Sequence, residues 1–209
     1  DKVRRDAVSR KLEHAVVDMT KGGLSESFQP LQNDALLKRI LLKLPSYGGT
    51  MGHPVWVPSV TCGVIMDICR TRPNATMLLA DFDYLPPPDL EEDDDRISIL
   101  AEGEPLVTDM GGIDYDCYLN SPHLADILYP TDFRKLGRFC DKVFATTDDD
   151  DTTNVVKVTK QGQFLREVGP QQVKATTSRW TGYSPMVDDF YNCSILTVSR
   201  GNSGDDDKV

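Results

Sequence analysis

The order of apolar and polar positions divides the chain into short segments, of which PNATMLLADFDYLPPP at 73–88 is the most telling. Residues 77–80 form a continuous apolar run, too short for an independent helix. The run is entered through Pro73-Asn74 and closed by Pro86, Pro87 and Pro88. That pattern predicts a strand buried on both faces, as in a parallel sheet flanked by helices. Asp81, Phe82, Asp83 and Tyr84 follow at its C-terminal end, the end where ligands collect in an open α/β sheet.

Other segments repeat with helical or extended periods. Leu36, Leu37, Ile40, Leu41 and Leu44 are spaced for an amphipathic helix, with Asn33 or Asp34 as its cap and Pro45 as its stop. HPVWVP at 53–58 is extended, because a residue before proline is pushed out of the helical region. Ser59 is placed to cap a second helix with Val60, Val64, Ile65 and Ile68 as its apolar stripe, and that helix feeds the strand at 77–80. Helix, tight turn and buried strand make half of a crossover, so the predicted class is α/β. LEHAVVDM at 12–19 reads as a helix or as a strand around Val16-Val17. The strand is preferred, since a second extended candidate at 27–31 follows the Lys21-Gly22-Gly23 turn and can close a hairpin.

Beyond the prolines, Glu91 to Asp95 is a run of like charge expected to stay solvated. Leu106-Val107, residues 117–119 and residues 127–129 are short extended candidates joined by Gly111-Gly112 and Ser121-Pro122. Thr131 or Asp132 caps a helix with Phe133, Leu136, Phe139 and Cys140 inward. A second acidic run, Asp148 to Asp151, makes a loop. Residues 155–159 are a strand, residues 161–168 a short helix ended by Gly169-Pro170, and residues 193–199 a last strand before a disordered polar tail at 201–209.

Composition narrows the classes. With 209 residues and 39% hydrophobic, the chain has room for one domain and a real core. A net charge of -10 opposes phosphate backbones, so nucleic acid is not an expected partner, and a basic protein segment is better matched. The cysteines Cys62, Cys69, Cys117, Cys140 and Cys193 are odd in number, widely spaced and mostly set among apolar neighbours, as expected of reduced, buried thiols in an intracellular protein. There is no CxxC pair, and His14, His53 and His123 are far apart, so no metal site is expected. No apolar run is long enough to span a bilayer. The first residue is Asp1 rather than Met, which fits a fragment.

No catalytic motif is spelled out. GxSxG, the P-loop and GxGxxG are absent, and Gly22-Gly23, Gly48-Gly49 and Gly111-Gly112 are better explained as turns. The strongest candidate is the pair Asp81 and Asp83, whose carboxylates point the same way from an extended chain and could hold a guanidinium or an amine. The competing reading makes one of them a loop cap and leaves the other solvated. Asp188-Asp189 and Trp180 to Tyr183 could line a groove, but a loop ordered by aromatic packing is the preferred reading. Cys62 has no histidine near it in sequence to activate it and is read as core.

Five segments together resemble the MidA-type class I methyltransferases. HPVWVPSVTCGVIMDICRTRPNATMLLADFDYLPPP is similar to that family's helix leading into its fifth strand, and LADILYPTDFRKLGRFC to its "DLTADVDF" step into the next helix. Gln161, Phe164, Leu165 and Gly169 match its "QxxFLxxxG" segment, and TGYSPMVDDFYNCSILTV its closing "GY" loop and final strand. LEHAVVDMTKGG resembles its "WREVFVDI" strand, which favours the hairpin. Where the family often has "DYGH", this chain has Asp81-Phe82-Asp83-Tyr84, without the histidine.

The resemblance implies the C-terminal half of a Rossmann-like class I methyltransferase sheet with a β-hairpin insertion. Residues 1–58 would be the inserted hairpin and helix, and residues 59–200 the second half of the sheet. The implied activity is transfer of a methyl group from S-adenosylmethionine to a protein arginine, in mitochondria, on a complex I subunit. Asp81 and Asp83 would orient the acceptor with Tyr84 at the rim, while the catalytic residues stay unassigned. The family's glycine-rich cofactor loop would lie before Asp1, so the chain alone is expected to be inactive and to bind no cofactor. The fifth strand would then have one bare edge. Two alternatives stand beside this reading: a non-catalytic assembly factor that keeps the fold, and a plain acidic binding module.

Overall fold

The computed structural model describes residues 1–32, 34–49, 51–85, 105–115, 117–121, 124–145 and 152–202. The runs Glu91 to Asp95 and Asp148 to Asp151, the prolines Pro86 to Pro88, Asn33, Pro122, His123 and the tail from 203 onward lie outside the described residues. The described residues form a mixed α/β structure with antiparallel sheets, divided into two units. Unit 1 is Asp1–Gly63 with Leu85–Pro130, and unit 2 is Val64–Tyr84 with Thr131–Val209.

Unit 1 is built on an antiparallel sheet of order β3-β2-β1-β4. Its strands are β1 (Lys2–Arg5), β2 (Leu12–Thr20), β3 (Gly23–Pro30) and β4 (Val55–Trp56). β2 and β3 are the expected hairpin, closed where Thr20 pairs with Gly23, whose φ of 117° suits glycine. The polar start of the chain contributes β1 between β2 and β4, and Val3 within it is fully buried.

Side-chain contacts tie these strands together. The Lys2 ammonium pairs with Glu26 at 3.1 Å and lies 5.2 Å from the Trp56 ring centre and 5.7 Å from that of Tyr118. Tyr118 donates to Glu26, which together with burial holds its hydroxyl above the usual tyrosine range. Trp56 also packs on Tyr129 at 4.7 Å.

Helix α1 (Ala35–Lys43) starts at Asp34, whose carboxylate accepts the Leu37 N–H at 2.8 Å, and buries Leu37, Ile40 and Leu41. Leu36, expected inward, is exposed. A 3-10 turn (Pro45–Gly48) follows. A second small antiparallel sheet, of order β7-β6-β8, consists of β6 (Leu106–Thr108), β7 (Asp114–Tyr115) and β8 (Asp126–Leu128). Residues 117–119, expected extended, form no strand, and 118–120 are a turn.

Helix α2 (Ser59–Thr71) contributes residues to both units. Ser59 does not act as the expected cap, since its hydroxyl donates to the Asp1 carboxylate. The buried positions are Cys62, Ile65, Met66 and Cys69, while Val60 and Val64 are exposed. The inward stripe is therefore rotated from the predicted one: cysteine and methionine take positions that a count of β-branched residues assigns to valine.

Unit 2 is a three-stranded sheet of order β5-β10-β9, from β5 (Met77–Phe82), β9 (Thr152–Lys160) and β10 (Cys193–Asn202). Here the reading of residues 77–80 is corrected. β5 is antiparallel to its neighbour and lies at the sheet edge, and Leu78 is 53% exposed. The strand buried on both faces is β10, where consecutive residues Cys193, Ser194, Ile195 and Leu196 are all buried. Among the described residues β5 pairs along one side only, as expected of an edge strand.

β5 and β9 are both antiparallel to β10, so they run in the same direction on either side of it. The chain returns to the sheet through α3 (Phe133–Phe144), capped by Asp132 through the Lys135 N–H at 3.0 Å. Phe133, Leu136, Phe139 and Cys140 are all buried, as the spacing predicts. Gly137 seats this helix on the sheet: a Cβ there would lie 3.5 Å from Val156 and 3.9 Å from Leu196. α4 (Gln161–Val168) follows β9 directly, and α5 (Pro170–Thr176) and α6 (Pro185–Asp188) precede β10. The loop between α5 and α6 is not ordered by aromatic packing of Trp180, which is 98% exposed. Tyr183 instead donates to both Asp189 oxygens, at 2.5 and 2.6 Å.

Candidate functional site

The register of unit 2 puts Asp81, Ser194 and Lys160 in one row across the three strands, Ser194 opposite Asp81 on one side and opposite Lys160 on the other. Directly opposed residues share a face of a sheet. Asp83 lies two residues past Asp81 and receives the other two side chains of that row. Its Oδ2 accepts a hydrogen bond from the Lys160 ammonium at 2.5 Å and one from the Ser194 hydroxyl at 2.5 Å. Its Oδ1 is buried and has no hydrogen-bond partner among the described residues. A buried acceptor left unmade costs about 1–3 kcal/mol in general.

The backbone around the carboxylates is held from both sides. The Asp83 N–H donates to the Asn192 carbonyl at 2.9 Å, and the Asn192 side-chain amide donates to the Tyr84 carbonyl at 3.0 Å. The Thr131 N–H donates to the Phe82 carbonyl at 2.8 Å, and its hydroxyl donates to Asp81 Oδ2 at 2.6 Å. Asp81 Oδ1 accepts the Phe82 N–H at 2.8 Å. The structure thus brings Asp81 and Asp83 to one end of β5. Neither is a simple solvated group: Asp81 is tied to the start of α3, and Asp83 to β9 and β10. The Tyr84 side chain is about half exposed and enters the site through its backbone carbonyl alone.

Sequence reasoning missed Lys160 and Ser194 and treated Thr131 only as a helix cap. Ser194 carried a signal, being a polar residue inside the most apolar strand. Lys160 carried none, since its place depends on strand register.

Cysteine chemistry has no support. Burial pushes the Cys62 thiol up to about 12 against a partial opposing effect of the Tyr47 hydroxyl, so the thiol stays protonated and inert. Burial, with the nearby Asp81 and Asp83 carboxylates, also raises Cys193. The five cysteines are thiols rather than disulfides, and four are buried. Among the described residues no group of three or more His, Cys, Asp or Glu could hold a metal ion, and no helix is long and apolar enough to cross a membrane.

The glycines do not form a cradle for a nucleotide-type cofactor. Gly22-Gly23 turn the hairpin, and a Cβ at Gly49 would meet the His53 carbonyl at 2.8 Å, so that space is filled by the chain itself. Gly111-Gly112 lie in a turn organised by Asp109, whose carboxylate accepts the Gly111 and Ile113 N–H groups at 2.8 and 3.0 Å. These bonds, with one from the Tyr115 hydroxyl, hold its pKa below the usual carboxylate value. Gly162 stands at a strand-to-helix junction, yet a Cβ there would meet Val187 at 3.0 Å.

No family model matches the chain, and no curated protein matches it. Among solved structures it is similar to an uncharacterised ACR protein of the COG1565 superfamily from Burkholderia thailandensis, with a TM-score of 0.55 and 12% sequence identity. The likeness covers 97% of this chain and 52% of that protein, so the chain spans about half its length. At that identity the likeness shows a shared fold.

Proposed function

We propose that this chain is the acceptor-binding part of a MidA-type methyltransferase that uses S-adenosylmethionine to methylate a protein arginine. The observation that carries the reading is the pair Asp81 and Asp83, held together at the end of β5 by Thr131, Lys160 and Ser194. Arginine stays charged at any physiological pH, so a site that takes it must desolvate and orient the guanidinium, for which carboxylates on a rigid strand end are suited. Two further observations support the reading. The fold is shared with a protein of the COG1565 superfamily. β5 and β9 also run together on either side of β10, with α3 in the connection, as expected of the closing part of a Rossmann-like sheet. By the same resemblance, the acceptor is a complex I subunit and the compartment the mitochondrion.

In this reading the methyl donor is held outside these 209 residues, and the chain supplies orientation of the acceptor only. A second reading, a non-catalytic assembly factor, is supported by one observation: Gly22-Gly23 and Gly111-Gly112 stand in turns, and Gly162 packs against Val187. Calorimetric titration with S-adenosylmethionine separates the two. The methyltransferase reading expects the complete gene product to bind the cofactor and the 209-residue chain to show no binding. A complete gene product that does not bind it would leave the assembly-factor reading, and tight binding by the chain alone would contradict the assignment of the missing site.

A further inference from the structure

The segment that carries the chain from α5 to β10 puts aromatic surface into water. Trp180 is 98% exposed and Tyr191 66% exposed, and Tyr84, Tyr183, Met186 and Phe190 are exposed as well. Such side chains have large apolar faces and few polar atoms, and a group of them on a surface marks a place where something binds. Backbone bonds fix where they stand. The Ser178 N–H donates to the Tyr183 carbonyl at 2.8 Å and the Gly182 N–H to the Ser178 carbonyl at 2.9 Å. Gly182, at a φ of 73°, makes that tight turn possible, so Trp180 is presented on a defined backbone. The Tyr183 hydroxyl is bound to Asp189 just past α6, and the Asn192 amide, next to Tyr191, donates to the Tyr84 carbonyl at 3.0 Å. The exposed rings thus gather at one end of unit 2, the end that carries Asp81 and Asp83.

Charge selects the partner. Asp189 accepts from the Tyr183 hydroxyl and Asp188 from the Ser184 N–H at 2.7 Å, so each keeps its negative charge beside the rings. Arg179 in the same turn offsets part of that charge, and the chain as a whole carries -10. We propose that the surface from Trp180 to Tyr191, with Tyr84, docks an extended, arginine-bearing segment of a partner protein. A guanidinium stacks flat on an aromatic face and still hydrogen-bonds at its edge, which suits rings that stand beside carboxylates. An anionic membrane surface, the other usual setting for exposed tryptophan, is opposed by those carboxylates and by the net charge. The acceptor-site reading above is needed only for the role of what docks: on that reading the segment is the substrate sequence around the arginine to be methylated. Trp180 and Tyr191 are then docking residues rather than catalytic ones.

The test is binding of a fluorescein-labelled peptide of alternating arginine and glycine to the 209-residue chain, followed by anisotropy. A cation on an exposed ring corresponds to an affinity change on the order of two- to fivefold, so Trp180→Ala with Tyr191→Ala should weaken the peptide about tenfold. Trp180→Phe, which keeps an aromatic face, should stay within about threefold of the parent. If the double variant loses the parent's thermal transition, Trp180→Ala alone serves, with a loss of about two- to fivefold, because that side chain is almost wholly in water. The peptide should also shield Trp180 from acrylamide quenching, whereas vesicles of phosphatidylcholine and phosphatidylglycerol in equal parts should not. No saturable binding by the parent, parent affinity in the alanine variants, or shielding by vesicles and not by the peptide would overturn the proposal. Docking as expected, without methyl transfer to the same peptide by a complete gene product that binds the cofactor, would keep the surface and overturn the acceptor-site reading alone.

Discussion

Replacing Phe139 by alanine is expected to destabilise unit 2 by about 3–5 kcal/mol, the range for truncating a fully buried aromatic side chain. Phe139 has no exposed surface and lies on the inward face of α3 with Leu136, Cys140 and Val143. A three-stranded sheet has little apolar area to spare, so this face carries much of what keeps α3 seated. Gly137 brings the helix close to Val156 and Leu196, which leaves little freedom for neighbours to collapse into the space a missing ring would open. Hydrogen exchange of the β9 and β10 amides in increasing urea measures the effect where it acts. A loss below about 1 kcal/mol would show that α3 does not rest on the sheet through this ring.

Replacing Asp81 and Asp83 together by alanine should lower methyl transfer by the complete gene product roughly a hundredfold or more, the scale set by misplacing a reacting group. Cofactor binding should be unchanged, because neither carboxylate is assigned to it. The fold should survive. The Asp83–Lys160 pair has a half-exposed lysine and contributes little net stability, on the order of 1 kcal/mol or less. Deleting Asp83 also removes a buried oxygen with no partner among the described residues, which offsets part of that loss. A variant with native thermal stability and native transfer rate would remove both residues from the acceptor site.

The parts of this structure legible in the sequence are those fixed by local chemistry. α3 was readable to its cap and its inward positions, because one helix face meets one sheet face and the apolar spacing records it. The β2–β3 hairpin was readable from its turn. The strand at 77–80 was located, but its surroundings were misread. A continuous apolar run says that a segment can be buried on both faces, and β10 rather than β5 received the central place. The stripe of α2 was misplaced by the same limit, since Cys62 and Cys69 fill positions that periodicity gave to Val60 and Val64. In the site, Asp81 and Asp83 could be found as paired carboxylates at a strand end. Their partners could not: Ser194 is 111 residues from Asp83 and Lys160 is 77 residues away, and strand register alone brings them together.

The most direct test of the account is transfer of a labelled methyl group from S-adenosylmethionine by the complete gene product to an arginine-bearing peptide, with a citrulline-bearing peptide of the same sequence as control. The account predicts label recovered as methylarginine and none on the citrulline peptide, which has lost the charge that Asp81 and Asp83 are placed to receive. Label on neither peptide from a gene product that binds the cofactor, or equal label on both, would contradict it.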